Sequence, residues 1–148
     1  MIFDLQKEDF TVTDNKFEYT GKPVPVPEPQ QIKGRIVYPR DRKKLVNALV
    51  HAGFVCELNP EHPTFKRKSS GKPYTEPHHL VPMSAQEHFK VSLDVEENIV
   101  SLCSNCHNHI HYGIKVMQTL SPKMALAHTG KIGEYTKEIN YYGTLASV

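Results

Sequence analysis

The clearest helical pattern in the chain is DRKKLVNALVHAG. Leu45, Leu49 and Ala52 recur at helical spacing, which places them on one side of a short amphipathic helix. Asp41 is a suitable N-cap because its side chain can accept hydrogen bonds from the first free amides, and Gly53 is a suitable stop. The pattern therefore predicts a helix over this segment.

Strand patterns follow this helix. TFKRKSSGKPYTEPHHL is typical of a hairpin that turns at SSG, and NIVSL predicts a short strand after a loop through residues 83–96. A second helix is expected from about Asn105 to Gly113. SPKMALAHTG predicts a third, with Ser121 as N-cap and Pro122 at the first helical position.

The first thirty residues have little apolar periodicity and end in GKPVPVPEP, with proline at every second position. Proline fixes φ and removes a donor, so this stretch should be extended and be neither a helix nor a central strand. We therefore expect an N-terminal arm or linker over residues 1–40, the main domain over 41–120 and a C-terminal helical tail over 121–148.

Composition narrows the class of protein. The chain has 148 residues, one typical domain, and its odd count of three cysteines argues against a disulfide framework. No apolar run approaches the ~18 residues of a membrane span, and the N-terminus lacks the features of a signal peptide. The sequence thus predicts a soluble, cytoplasmic protein without a membrane partner.

Charge is concentrated although the net charge is only +2. The window of residues 33–72 has ten Lys or Arg and three acidic residues, so it carries +7 and the remainder of the chain carries −5. A local basic block suits a polyanion such as nucleic acid. The alternative is a solvated face with flexible arms.

Potential metal ligands are most concentrated in the segment NIVSLCSNCHNHIHYG. Cys103 and Cys106 form the CxxC of a zinc knuckle, which supplies half of a tetrahedral site. Cys56 and His62, in CELNPEH, would complete a Cys₃His site for a structural zinc ion. The alternative is a buried Cys56 and a surface His62.

Histidines form a second group. His107 and His111 are four residues apart, so both can face one cation from the same side of a helix, whereas His109 points elsewhere. EPHHLVP adds the adjacent pair His78 and His79 between prolines. Neighbouring side chains of a regular strand point to opposite faces, so this pair can act on one group only where the strand twists, bulges or ends.

These motifs together resemble the HNH endonucleases, in particular restriction-type members with a structural zinc. The resemblance covers Cys56 to Gly113, and the letters of the family name fall on His79, Asn98 and His107. It implies an α+β fold, with a ββα-metal (HNH) core and zinc knuckle, flanked by helices and the extended N-terminal arm. Two departures are the Cys-x₅-His in place of a second CxxC, and a loop after Pro82 without the glycine pair of many members.

The resemblance also implies roles for the histidines. His78, His107 and His111 would bind one catalytic divalent metal, namely Mg²⁺, Mn²⁺, Ni²⁺, Co²⁺ or Zn²⁺. His79 would be the general base that takes a proton from the attacking water. Asn98 would constrain the loop opposite the base and help to orient the imidazole of the base, although in some family branches an Asn near this position binds the metal.

The implied activity is metal-dependent hydrolysis of DNA phosphodiester bonds, in restriction or phage defence. The alternative is a non-catalytic, zinc-containing DNA-binding module, which three ligands with an open position disfavour. One such site cuts one strand, so a homodimer or a larger assembly is expected. Basic residues of the hairpin should contact DNA phosphates: Lys66, Arg67, Lys68 and Lys72.

Two further side chains lie near these motifs. We expect Glu76 to pair with a nearby Lys or Arg, the alternative being that it helps to bind the metal. His88 is expected to be a solvated loop residue, the alternative being an approach to the site.

Overall fold

A computed structural model describes residues 22–113. The helix predicted from Ser121, and the tail that contains it, lie outside the described residues. In chain order the elements are β1 (Gln30–Ile32), β2 (Arg35–Val37), α1 (Arg42–His51), β3 (Glu76–His79), β4 (Ile99–Leu102) and α2 (Ser104–Tyr112). Two short 3₁₀ helices, Met83–His88 and Glu96–Asn98, lie between β3 and β4.

The centre of the fold is an antiparallel pair of strands followed by a helix. β3 pairs with β4 so that Glu76 lies opposite Leu102 and His79 opposite Ile99. All four residues of β4 are buried, whereas β3 is half-buried throughout. α2 begins two residues after β4 and packs on both strands. The α+β class predicted from the sequence is confirmed.

The main apolar core surrounds β4 and the long segment between the strands. Each fully buried aliphatic side chain contributes about 1.5–3 kcal/mol, so this cluster holds the segment against the sheet. Its buried members are Cys56, Leu80, Val81, Met83, Ala85, Phe89, Leu93, Val95, Val100, Leu102, Cys103 and Cys106. The metal-ligand candidates Cys56, Cys103 and Cys106 therefore lie inside the core.

α1 has the caps that the sequence predicts. The Asp41 side chain accepts a hydrogen bond from the Lys43 backbone N–H at 2.9 Å, and Gly53 has a φ of +65° just after the helix. Leu49 is fully buried, and α1 packs on β3, β4 and the second 3₁₀ helix. A side-chain hydrogen bond of 2.9 Å from Asn47 to Glu96 adds to this attachment.

The predicted turn at SSG is also present. The Arg67 N–H donates to the Lys72 carbonyl at 2.8 Å, and the Tyr74 N–H donates to the Phe65 carbonyl at 2.7 Å. The second arm of this short hairpin continues directly into β3. That strand then takes β4 as its partner, so the hairpin leads into the sheet from one end.

The N-terminal arm is more structured than the sequence predicts. Its proline-rich part, residues 22–29, has no helix or strand, as expected. However, the Val24 carbonyl accepts a hydrogen bond from the Ser92 N–H at 2.8 Å, and its side chain packs on the core. β1 and β2 form an unpredicted hairpin with a turn at Lys33 and Gly34, both of positive φ. Within residues 22–113, no helix is both long and apolar enough to cross a membrane.

Candidate active site and metal centres

Three cysteines and one histidine come together beside the start of α2. The Cys103 side chain caps this helix by accepting from the Cys106 N–H at 3.4 Å. His62 Nδ1 lies 3.3 Å from Cys106 Sγ and 3.7 Å from Cys103 Sγ. With Cys56, the ligand atoms all lie within 4.8 Å of one another. The structure thus groups His62 with the cysteines, as the sequence predicts.

Backbone pairing brings the Cys56 segment to the end of β4. The Glu57 N–H donates to the Ser101 carbonyl at 2.9 Å, and the Ser101 N–H donates back to Glu57 Oε2 at 2.7 Å. The next turn contains a hydrogen bond of 3.0 Å from the His62 N–H to the Asn59 carbonyl. Three thiols and an imidazole at these separations are the donor set of a closed, structural zinc site.

The thiols of this Cys₃His cluster differ in acidity. Burial opposes ionisation of Cys56, yet backbone hydrogen bonds from Cys103 and Asn59, and a side-chain bond with His62, bring its pKa down to about 7. Burial and the neighbouring thiols raise the pKa of Cys106 to about 12. The Cys56 thiolate therefore forms readily, whereas Cys106 needs a cation beside it to ionise.

Three imidazoles form a second cluster between β3 and α2. The ring centre of His78 lies 5.1 Å from those of His107 and His111, which are themselves 4.8 Å apart. The Nε2 atoms of His107 and His111 are separated by 3.1 Å. His111 is exposed while His78 is half-buried, so the cluster is accessible from one side. His109 is not a member, as its spacing predicts.

Glu76 orients one member of this imidazole cluster. Its Oε2 accepts a hydrogen bond from His107 Nδ1, and its Oε1 accepts from the Tyr74 hydroxyl at 2.7 Å. The expected pairing with a Lys or Arg is not seen in these hydrogen bonds, although Arg67 lies close enough for its charge to act on Glu76. Because Nδ1 of His107 carries the proton, Nε2 presents its lone pair to the cluster, as in many metal sites.

The electrostatics of the imidazole cluster favour neutral rings at His78 and His111. Burial is the main cause that lowers the pKa of His78 to about 3, and the nearby His107, His111 and His79 lower it further. Burial and His107 also lower the pKa of His111. Burial raises the pKa of Glu76, but its hydrogen bonds outweigh that effect and the net shift is downward. At neutral pH both histidines offer lone pairs to a cation beside an ionised carboxylate.

His79 has a different environment from its neighbour His78. Its side chain is only 8 % exposed, and Nε2 lies 2.9 Å from Asp94 Oδ1. β3 ends at His79, and the next residue, Leu80, donates its N–H to the Asn98 carbonyl at 2.9 Å. The strand therefore ends at the histidine pair. A strand end is one of the three arrangements, with a twist or a bulge, in which both histidines could act on one group.

Asp94 was not foreseen from the sequence. It follows Leu93 and precedes Val95, and an acid that alternates with apolar residues is normally on the surface. In the structure it is buried, and it accepts a hydrogen bond of 2.6 Å from the Asp41 backbone N–H. Nothing in the local pattern distinguishes it, because its partners lie elsewhere in the chain.

Asn98 holds the segment between the strands. Its Oδ1 accepts from the Val81 N–H at 2.9 Å, and its Nδ2 donates to the carbonyls of Val81 and Leu93, both at 2.9 Å. The side chain is buried, and both ends of its amide contact the backbone. It thereby links the residues just after His79 to the residues around Asp94.

The basic residues of the hairpin separate into two groups. Lys66, Lys68 and Lys72 are exposed. Arg67 is only 3 % exposed; its guanidinium donates to the Thr75 carbonyl and lies 4.2 Å from the centre of the Tyr74 ring. The expectation that Arg67 contacts DNA is therefore corrected: its guanidinium is inside the fold.

The expectation that His88 is a solvated loop residue agrees with the structure. His88 is exposed and lies 3.6 Å from Glu87 on the surface. Asn105 and Asn108 are exposed on α2, where Asn108 donates to the Ser104 carbonyl.

Comparison with known proteins adds to this geometry. Residues 64–113 match the family model described as HNH endonuclease. The chain is 34 % identical over 95 residues to the Type IV methyl-directed restriction enzyme EcoKMcrA of Escherichia coli. This match covers 64 % of this chain and 30 % of that protein. Among solved structures, the Type IV phosphorothioation-dependent restriction endonuclease ScoMcrA matches at 29 % identity with a TM-score of 0.46, covering 64 % of this chain and 20 % of that one. The chain thus matches less than a third of the length of either relative.

Proposed function

We propose that this chain, whose residues 64–113 match the HNH endonuclease family, is a metal-dependent nuclease that hydrolyses phosphodiester bonds of DNA in restriction or phage defence. The observation that carries the proposal is the imidazole cluster of His78, His107 and His111 next to a fourth histidine, His79. The likeness to a restriction enzyme supports the biological role.

Two metal sites belong to this proposal. The Cys₃His cluster fits a structural Zn²⁺, because soft thiolates in a closed tetrahedral set suit that ion. The imidazole cluster would hold one divalent ion with open positions, where the ion would stabilise charge on the departing 3′ oxygen. Imidazole ligands favour Mn²⁺, Co²⁺, Ni²⁺ or Zn²⁺ over the harder Mg²⁺.

His79 is the proposed general base. It accepts a proton from the attacking water as the new P–O bond forms and the bond from phosphorus to the 3′ oxygen breaks. Its environment supports this role, since it lies beside the imidazole cluster yet bonds to a different partner, Asp94. Asn98 is proposed to keep the backbone after His79 in place through its bonds to Val81.

DNA contacts are assigned to the exposed lysines of the hairpin, Lys66, Lys68 and Lys72. This hairpin leads into β3, and the Tyr74 hydroxyl in its second arm bonds to Glu76, which bonds to His107. Phosphates bound by the lysines would therefore lie near the imidazole cluster. A single site of this kind cuts one strand, so double-strand cleavage would need a homodimer or a larger assembly.

The test is nicking of supercoiled plasmid, both unmodified and methylated, with each divalent metal in turn. We expect His79→Ala to lower the rate by roughly 10²–10⁴-fold, which is the usual contribution of a general base. The fold and DNA binding should be unchanged. His109→Ala is the matched control, because His109 lies on α2 but outside the imidazole cluster.

Two results would contradict the proposal. If His79→Ala nicked plasmid at the wild-type rate, His79 would not be the base. If the wild-type protein bound DNA but nicked neither plasmid with any metal, the non-catalytic DNA-binding module would be favoured instead.

A further inference from the structure

We propose that Asp94 is a positioning residue which fixes the tautomer and the orientation of the His79 ring. In this arrangement Nε2 of His79 carries the proton and Nδ1 holds the lone pair that accepts the proton of water. The inference rests on the proposed function, in which His79 is the base, and it adds a residue outside the HNH letters.

The hydrogen bonds of Asp94 carry the argument. A carboxylate oxygen only accepts, so the 2.9 Å contact between His79 Nε2 and Asp94 Oδ1 requires the proton on Nε2. The other oxygen, Oδ2, accepts from the Asp41 backbone N–H at 2.6 Å. Both oxygens are therefore engaged by N–H donors, and the carboxylate has a fixed orientation relative to the ring.

The surroundings keep Asp94 ionised and in place. Its side chain is 3 % exposed. Burial alone would raise its pKa, but hydrogen bonds from His79 and Asp41, and the charge of Lys44, bring the pKa below its usual value. The Lys44 ammonium also donates to the Asp94 carbonyl at 2.6 Å. A buried carboxylate with two N–H donors and a nearby ammonium is a stable acceptor for the His79 ring.

The start of α1 is part of the same arrangement. Asp41, whose N–H binds Asp94, is the N-cap of this helix, and Lys44 lies in its first turn. The positive end of the helix dipole also favours a carboxylate at this position. The packing of α1 on the sheet thus helps to set the orientation of His79, although α1 lies before the segment that matches the HNH family.

Asp94→Asn separates positioning from simple loss of structure. An amide has one acceptor oxygen, so it cannot satisfy both the Asp41 N–H and the His79 Nε2–H. If the bond to Asp41 is kept, the amide NH₂ faces His79 and moves the ring proton to Nδ1. In a Ser-His-Asp protease the corresponding Asp→Asn change lowers kcat by about 10⁴-fold through the wrong tautomer.

The first measurement is kinetic. We expect Asp94→Asn to lower kcat for plasmid nicking by at least ~10²-fold, as for partial loss of a general base, with KM unchanged. In the His79→Ala background the same substitution should cause no further loss, because Asp94 acts only through that ring. Asn47→Ala is the matched control, since it removes another bond between α1 and the loop without contacting His79.

The second measurement reads the tautomer without any reaction. Long-range ¹H–¹⁵N correlation spectra of the full chain, at a pH where His79 is neutral, should show the proton on Nε2 in the wild type and a shift toward Nδ1 in Asp94→Asn. This spectrum of the wild type decides the proposal even if the variant fails to fold.

The outcomes distinguish the two proposals. Wild-type kcat in a folded Asp94→Asn, an additional loss in the His79→Ala background, or an Nδ1–H tautomer in the wild type would each overturn the positioning role. If the wild type shows no nicking at all, the nuclease proposal fails, while the tautomer spectrum still reports whether Asp94 fixes the ring.

Discussion

At the scale of single residues, two adjacent histidines have different environments. His78 joins the imidazole cluster with His107 and His111, whereas His79 bonds to the buried carboxylate of Asp94. The two histidines are the last residues of β3, and each takes its partners from a different part of the fold. The pair is therefore suited to two tasks, a ligand and a base.

The lowered pKa of His78 predicts a pH effect on stability. Its pKa is about 3 in the folded chain against 6.5 for an ordinary histidine, so the unfolded state binds more protons between these values. The free energy of unfolding should therefore fall as pH drops from 7 to 5, once exchangeable metal is removed by mild chelation. Urea unfolding of His78→Gln should show a smaller decrease.

His88→Gln is the control for this measurement, because His88 is exposed on the surface. The carboxyl groups with lowered pKa values, Glu76 and Asp94, lose their stabilising effect only at lower pH and so contribute little in this window. Equal pH dependence in His78→Gln and the wild type would contradict the prediction.

At the scale of elements, one hairpin has both an exposed and a buried role. Lys66 and Lys68 project outward, while Arg67 between them packs on Tyr74 and binds the Thr75 carbonyl. Lys66 lies in the first arm of the hairpin and Lys68 begins its turn, so both face away from the packed side where Arg67 lies. The hairpin can therefore contact DNA with one set of side chains and hold its own position with the other.

Substitution of the two outward lysines should weaken DNA binding without unfolding the chain. Each phosphate contact contributes about 0.9 to the slope of log K against log salt concentration, so Lys66→Ala with Lys68→Ala should lower that slope by about 2. Binding to a short duplex, measured at several salt concentrations, gives the slope. An unchanged slope would show that these lysines do not contact DNA phosphates.

Arg67→Ala is the informative contrast to the lysine pair. It should leave the salt dependence nearly unchanged and lower the free energy of unfolding by about 1–3 kcal/mol, because the buried Thr75 carbonyl would lose its donor. A reduced salt-dependence slope without a loss of stability would instead indicate that Arg67 contacts DNA.

At the scale of the whole molecule, α2 joins the two proposed metal centres. Its first turn supplies Cys106 and is capped by Cys103, and the next residues supply His107 and His111. The Cys₃His cluster ties the segment around Cys56 to this helix. We therefore expect the folding of the imidazole cluster to depend on the Cys₃His cluster.

Loss of the structural zinc should unfold the chain. A structural zinc site contributes about 10–16 kcal/mol of apparent binding free energy, which is comparable to the 5–15 kcal/mol stability of a typical domain. Cys106→Ser should therefore give poorly folded protein by circular dichroism, whereas His111→Ala should fold, keep its zinc and lose nicking. A folded Cys106→Ser protein without bound zinc would contradict this assignment.

The sequence by itself determined the local elements and most ligand candidates. The cap and stop of α1, the turn at SSG, β4 and α2 all follow from short-range signals. The CxxC and HxxxH spacings are enough to predict the candidate metal ligands at α2, because a helical turn fixes the relative direction of residues three and four apart. The resemblance to HNH nucleases then supplied the roles proposed for His79 and Asn98.

Only the tertiary structure decided which side chains act as partners across the fold. His79 bonds to Asp94 fifteen residues away, and Glu76 bonds to His107 thirty-one residues away. The packing of the N-terminal arm and the burial of Arg67 were decided in the same way. The physical reason is that helical and strand periodicities assign a residue to a face, whereas its hydrogen-bond partner depends on which distant segment packs against that face.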